Sequence, residues 1–408
     1  MTETLRAETA EQVREALAWA AGEETPLAVQ GGGSKRPFGR PVQAAHTLDL
    51  SALSGIALYE PEELVLSAGA GTPMTEIEAA LDAKAQQLAF EPPDLSGLLG
   101  TEGAGTLGGA LACNLAGPRR IKAGAARDHF LGVEAVSGRG ETFKSGGRVM
   151  KNVSGYDMCK LLTGAFGTLA AMTKVTVKVL PAPEKTRTLL LMGLDDAAAT
   201  RAMTAALNSP HDISGAAHLP AALAGRSGVS YVSGAGGAVT ALRLEGVAPS
   251  VEARMTALRE ALAPFGALEE LHGAKSGAFW REVRDVVPFH GDARPVWRLS
   301  VAPQAGHRVV ADVRREIDAE ALYDWGGGLV WLALPADGPA AADAGADIVR
   351  SALVNGGHAT LVRAAEPVRA AVDVFQPQPA PLAALTRRVK DSFDPRGVLN
   401  PGRMYPDA

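Results

Sequence analysis

The sequence predicts an α+β protein of two domains closed by a C-terminal helix and tail, and three observations predict it. A short apolar run, "PLAVQ", breaks into Gly31-Gly32-Gly33-Ser34-Lys35, and short alternating strands then continue as far as Pro181. Beyond "PAPEK" (181–185) strand-like and helical segments alternate, which is the pattern of β-α-β units. From residue 376 a Pro-rich stretch leads into an amphipathic helix and the extended "FDPRGVLNPGRMY". The expected domains are therefore 1–181, 182–375 and 376–408.

The elements follow in order. Thr9 with Gln12 reads as a capping box, after which Val13, Ala16, Leu17 and Ala20 keep the helical period. Pro26–Gln30 is a strand, so the glycine loop leaves a strand end. "GIALYEPEELVLSAGAG" predicts two strands around a turn at Pro61. Thr72-Pro73 opens a helix burying Met74, Ile77 and Leu81. Residues 91–128 show no period, and so long an irregular stretch is expected to wrap a ligand. Strands resume at Leu131–Ser137 and Glu141–Lys144, and "MTKVTVKVLP" alternates until Pro181 stops it. In the second domain "TRTLLLMGL", "AVTALRLEG", "VWRLSVAP", "GLVWLALP" and "GGHATLVRA" read as strands. Segments 195–208 and 249–264 read as helices. No exact repeat appears.

Composition excludes several functions. The chain has 408 residues, 21% charged and 47% hydrophobic, with net charge −5 and 5% aromatics. No basic, aromatic-interleaved stretch offers a nucleic-acid surface. The N-terminus lacks a secretory pattern, and no apolar run approaches the roughly 18 residues of a membrane span. Cys113 and Cys159 stand alone. A cytoplasmic protein is expected, with any membrane association supplied by partners.

The first glycine loop fits neither familiar phosphate motif. Ser34 precedes Lys35, against the P-loop order, and Arg36 occupies the last glycine place of the dinucleotide fingerprint. What remains is bare backbone that tolerates φ > 0 and can form an anion nest, or else a plain turn between strands. "GAGTLGG" does contain Gly103-x-Gly105-x-x-Gly108 with Asp128 downstream, but no buried strand leads into it. Its glycines are better suited to lining a long ligand, with the Thr106 hydroxyl and the next helix's N–H groups beside it. A third glycine-rich pass, "LLTGAFGTLAAMT", points to a ligand as long as a dinucleotide.

Taken in order, "VQGGGSK", "PPD", "GTLGGALACNLAG", "RD", "NVSGYDMCKLLTGAFGTLAAMTKVTVKVLP" and "FDPRGVLNPGRM" resemble the vanillyl-alcohol-oxidase (PCMH-type) FAD-binding family. Within it they are most similar to the FAD-binding subunits of bacterial glycolate oxidases. The resemblance implies a PCMH-type FAD domain, a ferredoxin-like α+β domain, and a tail returning to the flavin. It implies that Gly31, Gly32, Gly33 and Ser34 hold the FAD pyrophosphate, with Lys35 adding charge. It also implies that Pro93, Asp94 and Gly105, Thr106, Leu107, Gly108, Gly109 run beside the ribityl chain and flavin. Asn114, Gly117, Thr168, Met172 and Thr173 would complete the adenine and flavin walls, and Asn400 would return to the flavin. The implied partners are a larger FAD-containing glycolate oxidase subunit, an iron–sulfur subunit and a small 2-hydroxy acid; no nucleic acid is expected.

Two departures shape the functional expectation. Ser34 and Lys35 stand where many relatives carry a flavin-tethering histidine, so FAD is expected to be non-covalent. The histidine-rich metal motif of the family's 2-hydroxy-acid dehydrogenases is reduced to His290-Gly291-Asp292, and His358 is isolated, so no metal is expected. Arg298 and Arg363, on alternating strands, are the candidate carboxylate clamp; no base stands out. Three functions remain: a flavin subunit of a multi-subunit glycolate dehydrogenase, a self-sufficient 2-hydroxy-acid dehydrogenase, and a non-catalytic scaffold.

Overall fold

A computed structural model describes residues 3–103, 105–148 and 155–406. Ala104 of "GAGTLGG" and residues 149–154, which take in the start of "NVSGYDMCKLL", lie outside the described residues. The chain divides into two compact units. The first comprises Met1–Ala116, Gly124–Ala182 and Pro377–Ala408; the second comprises Gly117–Ala123 and Pro183–Gln376.

In the first unit, Thr9 accepts the Gln12 N–H at 3.2 Å and opens the helix Ala10–Gly22. This turns Val13, Leu17 and Ala20 inward against Leu27, Leu48, Val398 and Leu399. Leu27 and Leu48 belong to a three-stranded parallel sheet of Glu3–Arg6, His46–Asp49 and Leu27–Gln30, with His46–Asp49 in the middle. A second, antiparallel sheet runs in the order Ile56–Glu60, Val65–Gly69, Ala170–Lys178, Phe130–Ser137, Thr142–Gly146. Its alternating Val175, Val177 and Val179 are buried with Leu66, Phe130 and Val133 in one core. Among the described residues, the stretch without sequence periodicity holds four short helices: Ser96–Leu99, Leu107–Ala112 and Ala126–His129 in this unit, and Arg120–Ala123, which belongs to the second. Each spans six residues or fewer, too short to show a helical period.

The second unit contains two β-α-β-β-α-β motifs. In the first, the strands are Lys185–Met192, Gly215–Leu219, Val239–Gly246 and Leu268–His272, and they lie in the sheet as fourth, first, third, second. The second motif, with Val296–Ser300, Glu320–Asp324, Leu329–Ala333 and His358–Arg363, has the same order. Both are ferredoxin-like. Their second strands meet edge to edge through the pair His218 and Tyr323, making one eight-stranded sheet. The duplication is structural, invisible as a repeat in the sequence. Among the described residues no helix is long and apolar enough to cross a membrane.

Candidate functional site

The glycine loop leaves the strand Leu27–Gln30 and turns at once. Gly33 has φ +73°, a left-handed conformation that a side chain would strain. The Arg36 N–H donates to the Gly33 carbonyl at 3.0 Å and the Phe38 N–H to that of Lys35 at 3.0 Å, so the loop folds as consecutive turns. A Cβ on Gly31 would lie 2.8 Å from Thr106 Oγ1, and one on Gly105 would lie 2.7 Å from Lys35 Nζ. One on Gly109 would meet Lys35 Cε at 3.3 Å. The two glycine clusters, some seventy residues apart in sequence, thus face each other across Lys35, and the Thr101 hydroxyl locks them by donating to the Ser34 carbonyl at 2.7 Å.

Lys35 is half-buried. Its ammonium donates to Ser34 Oγ at 3.2 Å and pairs with no carboxylate among the described residues. Burial pushes its pKa below the usual lysine range, with Cys113 and Asp94 acting the other way. Such a cation is costly unless an anion joins it. FAD carries a pyrophosphate, and a cation walled by glycines too close for side chains fits it. Gly31 to Lys35, Gly105 and Gly109 would hold that group.

Several of the expected lining residues make bonds within the fold. Leu107 is fully buried, and its N–H donates to the Thr72 carbonyl at 3.0 Å. Gly108 donates to the Ala70 carbonyl, and a Cβ there would sit 2.7 Å from that oxygen, so Gly108 is glycine for backbone approach. Thr106 accepts the Gly109 N–H at 3.2 Å and caps its own helix. Met172 is buried in the core. The hydroxyls of Thr168 and Thr173 donate to the carbonyls of Ala165 (2.7 Å) and Glu134 (3.0 Å). Pro93 is buried and Asp94 accepts the Ser96 N–H, fixing the turn after them. Asn114, with φ +49°, accepts the Arg127 N–H at 3.4 Å. Gly117 belongs to the second unit, where its carbonyl accepts from Trp325 Nε1 at 3.0 Å.

The tail does reach the glycine loop. Asn400 accepts the Val29 N–H at 2.8 Å and donates through Nδ2 to the Phe166 carbonyl at 2.9 Å, so its amide clips the loop's strand to the third glycine-rich turn. Arg403 donates to the Lys35 carbonyl at 2.9 Å. The buried Lys390 ammonium donates to the carbonyls of Thr168 (2.7 Å) and Leu399 (2.8 Å) and to Asp394 (2.6 Å). Sequence reasoning missed Arg403, Lys390 and Asp394, of which only Lys390 lies in the last helix, Ala380–Phe393.

In the second unit Arg363 is committed to structure. It donates to the carbonyls of Phe289 (2.7 Å) and Arg294 (2.8 Å) and pairs with Asp292 at 2.5 Å. That use of its guanidinium replaces the expected clamp role. Arg298 lies over Trp325 and Trp331 and makes neither a hydrogen bond nor an ion pair among the described residues. His290 donates to the Asp285 carbonyl at 2.9 Å. Among the described residues no group of three or more His, Cys, Asp or Glu could hold a metal.

Comparison with known proteins agrees with this reading of the first unit. A family model described as an FAD binding domain matches residues 3–146. The glycolate oxidase subunit GlcE of Escherichia coli K12 is 37% identical over 97% of this chain and 96% of its own length. The glycolate oxidase subunit GlcD of Bacillus subtilis 168 is 32% identical over 43% of this chain and 36% of its own. Among solved structures, p-cresol methylhydroxylase superposes with TM-score 0.72 at 16% identity, covering 99% of this chain and 88% of the other. The chain belongs to the GlcE family of glycolate oxidase subunits, and it is an FAD-dependent oxidoreductase on the PCMH-type fold.

Proposed function

We propose that this chain is the flavin-carrying subunit of a multi-subunit glycolate dehydrogenase that converts glycolate to glyoxylate. It works beside a larger FAD-containing subunit and passes electrons to an iron–sulfur subunit. The observation that carries the reading is Lys35, paired with no carboxylate among the described residues, between two converging glycine clusters, in a chain similar to GlcE over nearly its whole length. Bound FAD would supply the two-electron acceptor for a substrate that loses a hydride from C2 and a proton from its hydroxyl. This chain's part is to hold the cofactor: main-chain N–H groups of Gly31 to Ser34 and the Lys35 ammonium on the pyrophosphate, with the Asn400 clip fixing the loop. Residues 1–181 and 376–408 carry the cofactor and 182–375 meet the substrate. With Ser34 and Lys35 at the tethering place, the flavin is non-covalent.

The test is purification of the chain alone and with its partner subunits. Acid precipitation should leave all flavin in the supernatant. Anaerobic glycolate should bleach the flavin slowly or not at all in the isolated chain and rapidly in the complex. Rapid full bleaching of the isolated chain would instead establish a self-sufficient dehydrogenase. A purified chain without flavin that cannot be loaded with FAD would leave only a scaffold.

A further inference from the structure

Trp325 sits in the second unit with φ +52°, a conformation unfavourable for an aromatic residue. It is held there because its N–H donates to Asp324 Oδ1 at 2.7 Å and its indole to the Gly117 carbonyl at 3.0 Å. The ring so fixed is only 5% exposed and carries two guanidiniums: Arg120, 4.4 Å from its centroid, and Arg298, 5.1 Å. Neither guanidinium has a hydrogen-bonded or ion-paired partner among the described residues. Arg298 faces Trp331 across the strand pair, and His358 lies diagonally on the same sheet face, since Ser300 pairs with His358 and Arg298 with Thr360.

We infer that Arg120 and Arg298, seated on Trp325 beside His358, form a binding site for the carboxylate of a small organic acid. Two guanidiniums present forked donors that match one carboxylate, and the indole supports them without neutralising them. Charge agrees with this. Burial, then Arg120, lowers Arg298 to about 10 against the pull of Asp324, and an incoming anion relieves that strain. His358 is lowered by burial and then by the same two arginines. It therefore stays neutral near pH 7 and can accept a hydrogen bond from a 2-hydroxyl. That the acid is the enzyme's substrate rests on the function proposed above; the binding itself does not.

Calorimetric titration of the FAD-loaded full chain with oxalate, which has no C–H bond to oxidise, tests the site. Wild type should bind, and Arg120→Gln and Arg298→Gln should each weaken binding tenfold or more at unchanged flavin content. Arg298→Lys should fall between, and Arg315→Gln, on the exposed Asp312 pair, should bind as wild type. Arg120 is exposed, so its variant keeps the fold. Wild-type affinity in Arg120→Gln, or no oxalate binding by wild type at millimolar concentration, would overturn the proposal. Intact oxalate binding in a complex that transfers no electrons from glycolate would overturn the proposed function and leave this site standing.

Discussion

A Cβ on Gly31 would already crowd the Thr106 hydroxyl that caps the next helix, and Gly31→Val adds two methyl groups there. The variant should fold and lose FAD at concentrations that saturate wild type. Lys35→Ala should keep FAD but weaken it by about ten- to a hundredfold, since one charge-assisted contact contributes roughly 1.5–3 kcal/mol and the rest are main-chain. Flavin fluorescence quenching on titration measures both; a Gly31→Val chain with native FAD affinity would remove the loop from the site. At this scale the sequence shows glycines where the fold leaves no room for a side chain, as at Gly31 beside Thr106 and Gly105 beside Lys35. Arg120 was not legible, because "GPRRIK" gives two adjacent arginines no different context. Only the fold sends Arg119 to Glu245, at 2.8 Å, and Arg120 to Trp325.

The last helix, Ala380–Phe393, shows how an element is held by buried charge. Asp394 accepts the N–H groups of Val398 (3.0 Å) and Leu399 (2.8 Å) while pairing with Lys390, and its neighbour Gly138 has no room for a Cβ. Asp394→Asn leaves the Lys390 ammonium buried without its carboxylate. It should cost about 3–5 kcal/mol of stability in urea unfolding. Adding Lys390→Met should recover part of that loss; no recovery would mean the pair is not the cause. Other elements were hidden for a different reason. "GAAHL" (215–219) has no branched or aromatic strand former, and "LEELH" (268–272) favours a helix by propensity. Each is a strand because a neighbour pairs with it, Val239–Gly246 for the first and Lys185–Met192 for the second.

Across the second unit as a whole, the two ferredoxin-like motifs are joined at a seam with one paired residue from each, His218 and Tyr323, and with side-chain bonds that cross it. Asp196 gathers His218 Nε2 (3.3 Å), the Tyr323 hydroxyl (2.6 Å) and Arg314 (2.9 Å) at that seam. Burial alone would raise the Asp196 carboxyl. The hydrogen bonds from His218 and Tyr323, with the Arg314 charge, outweigh it and bring the pKa from 3.8 down to about 2. A depressed folded-state pKa means stability that is complete above the ordinary value and fades as pH falls through the folded one. Urea midpoints should therefore drop between about pH 4 and pH 2, and Asp196→Asn should flatten that part of the profile while lowering stability at neutral pH. An unchanged acid limb in the variant would assign the dependence to other carboxylates. The sequence shows the β-α-β rhythm but not this seam, whose partners lie up to 127 residues apart.

The division of the chain also has a temporal meaning. Val29 and Asn400 are 371 residues apart, so the strand that launches the glycine loop leaves the ribosome long before the amide that clips it. At roughly 5–20 residues per second the interval is about 20–75 s. The second unit waits as well, because Gly117–Ala123 is made well before the Trp325 that anchors to it. Neither unit can mature as a contiguous nascent segment. The strand that launches the glycine loop therefore stays without its Asn400 clip until that residue has been made.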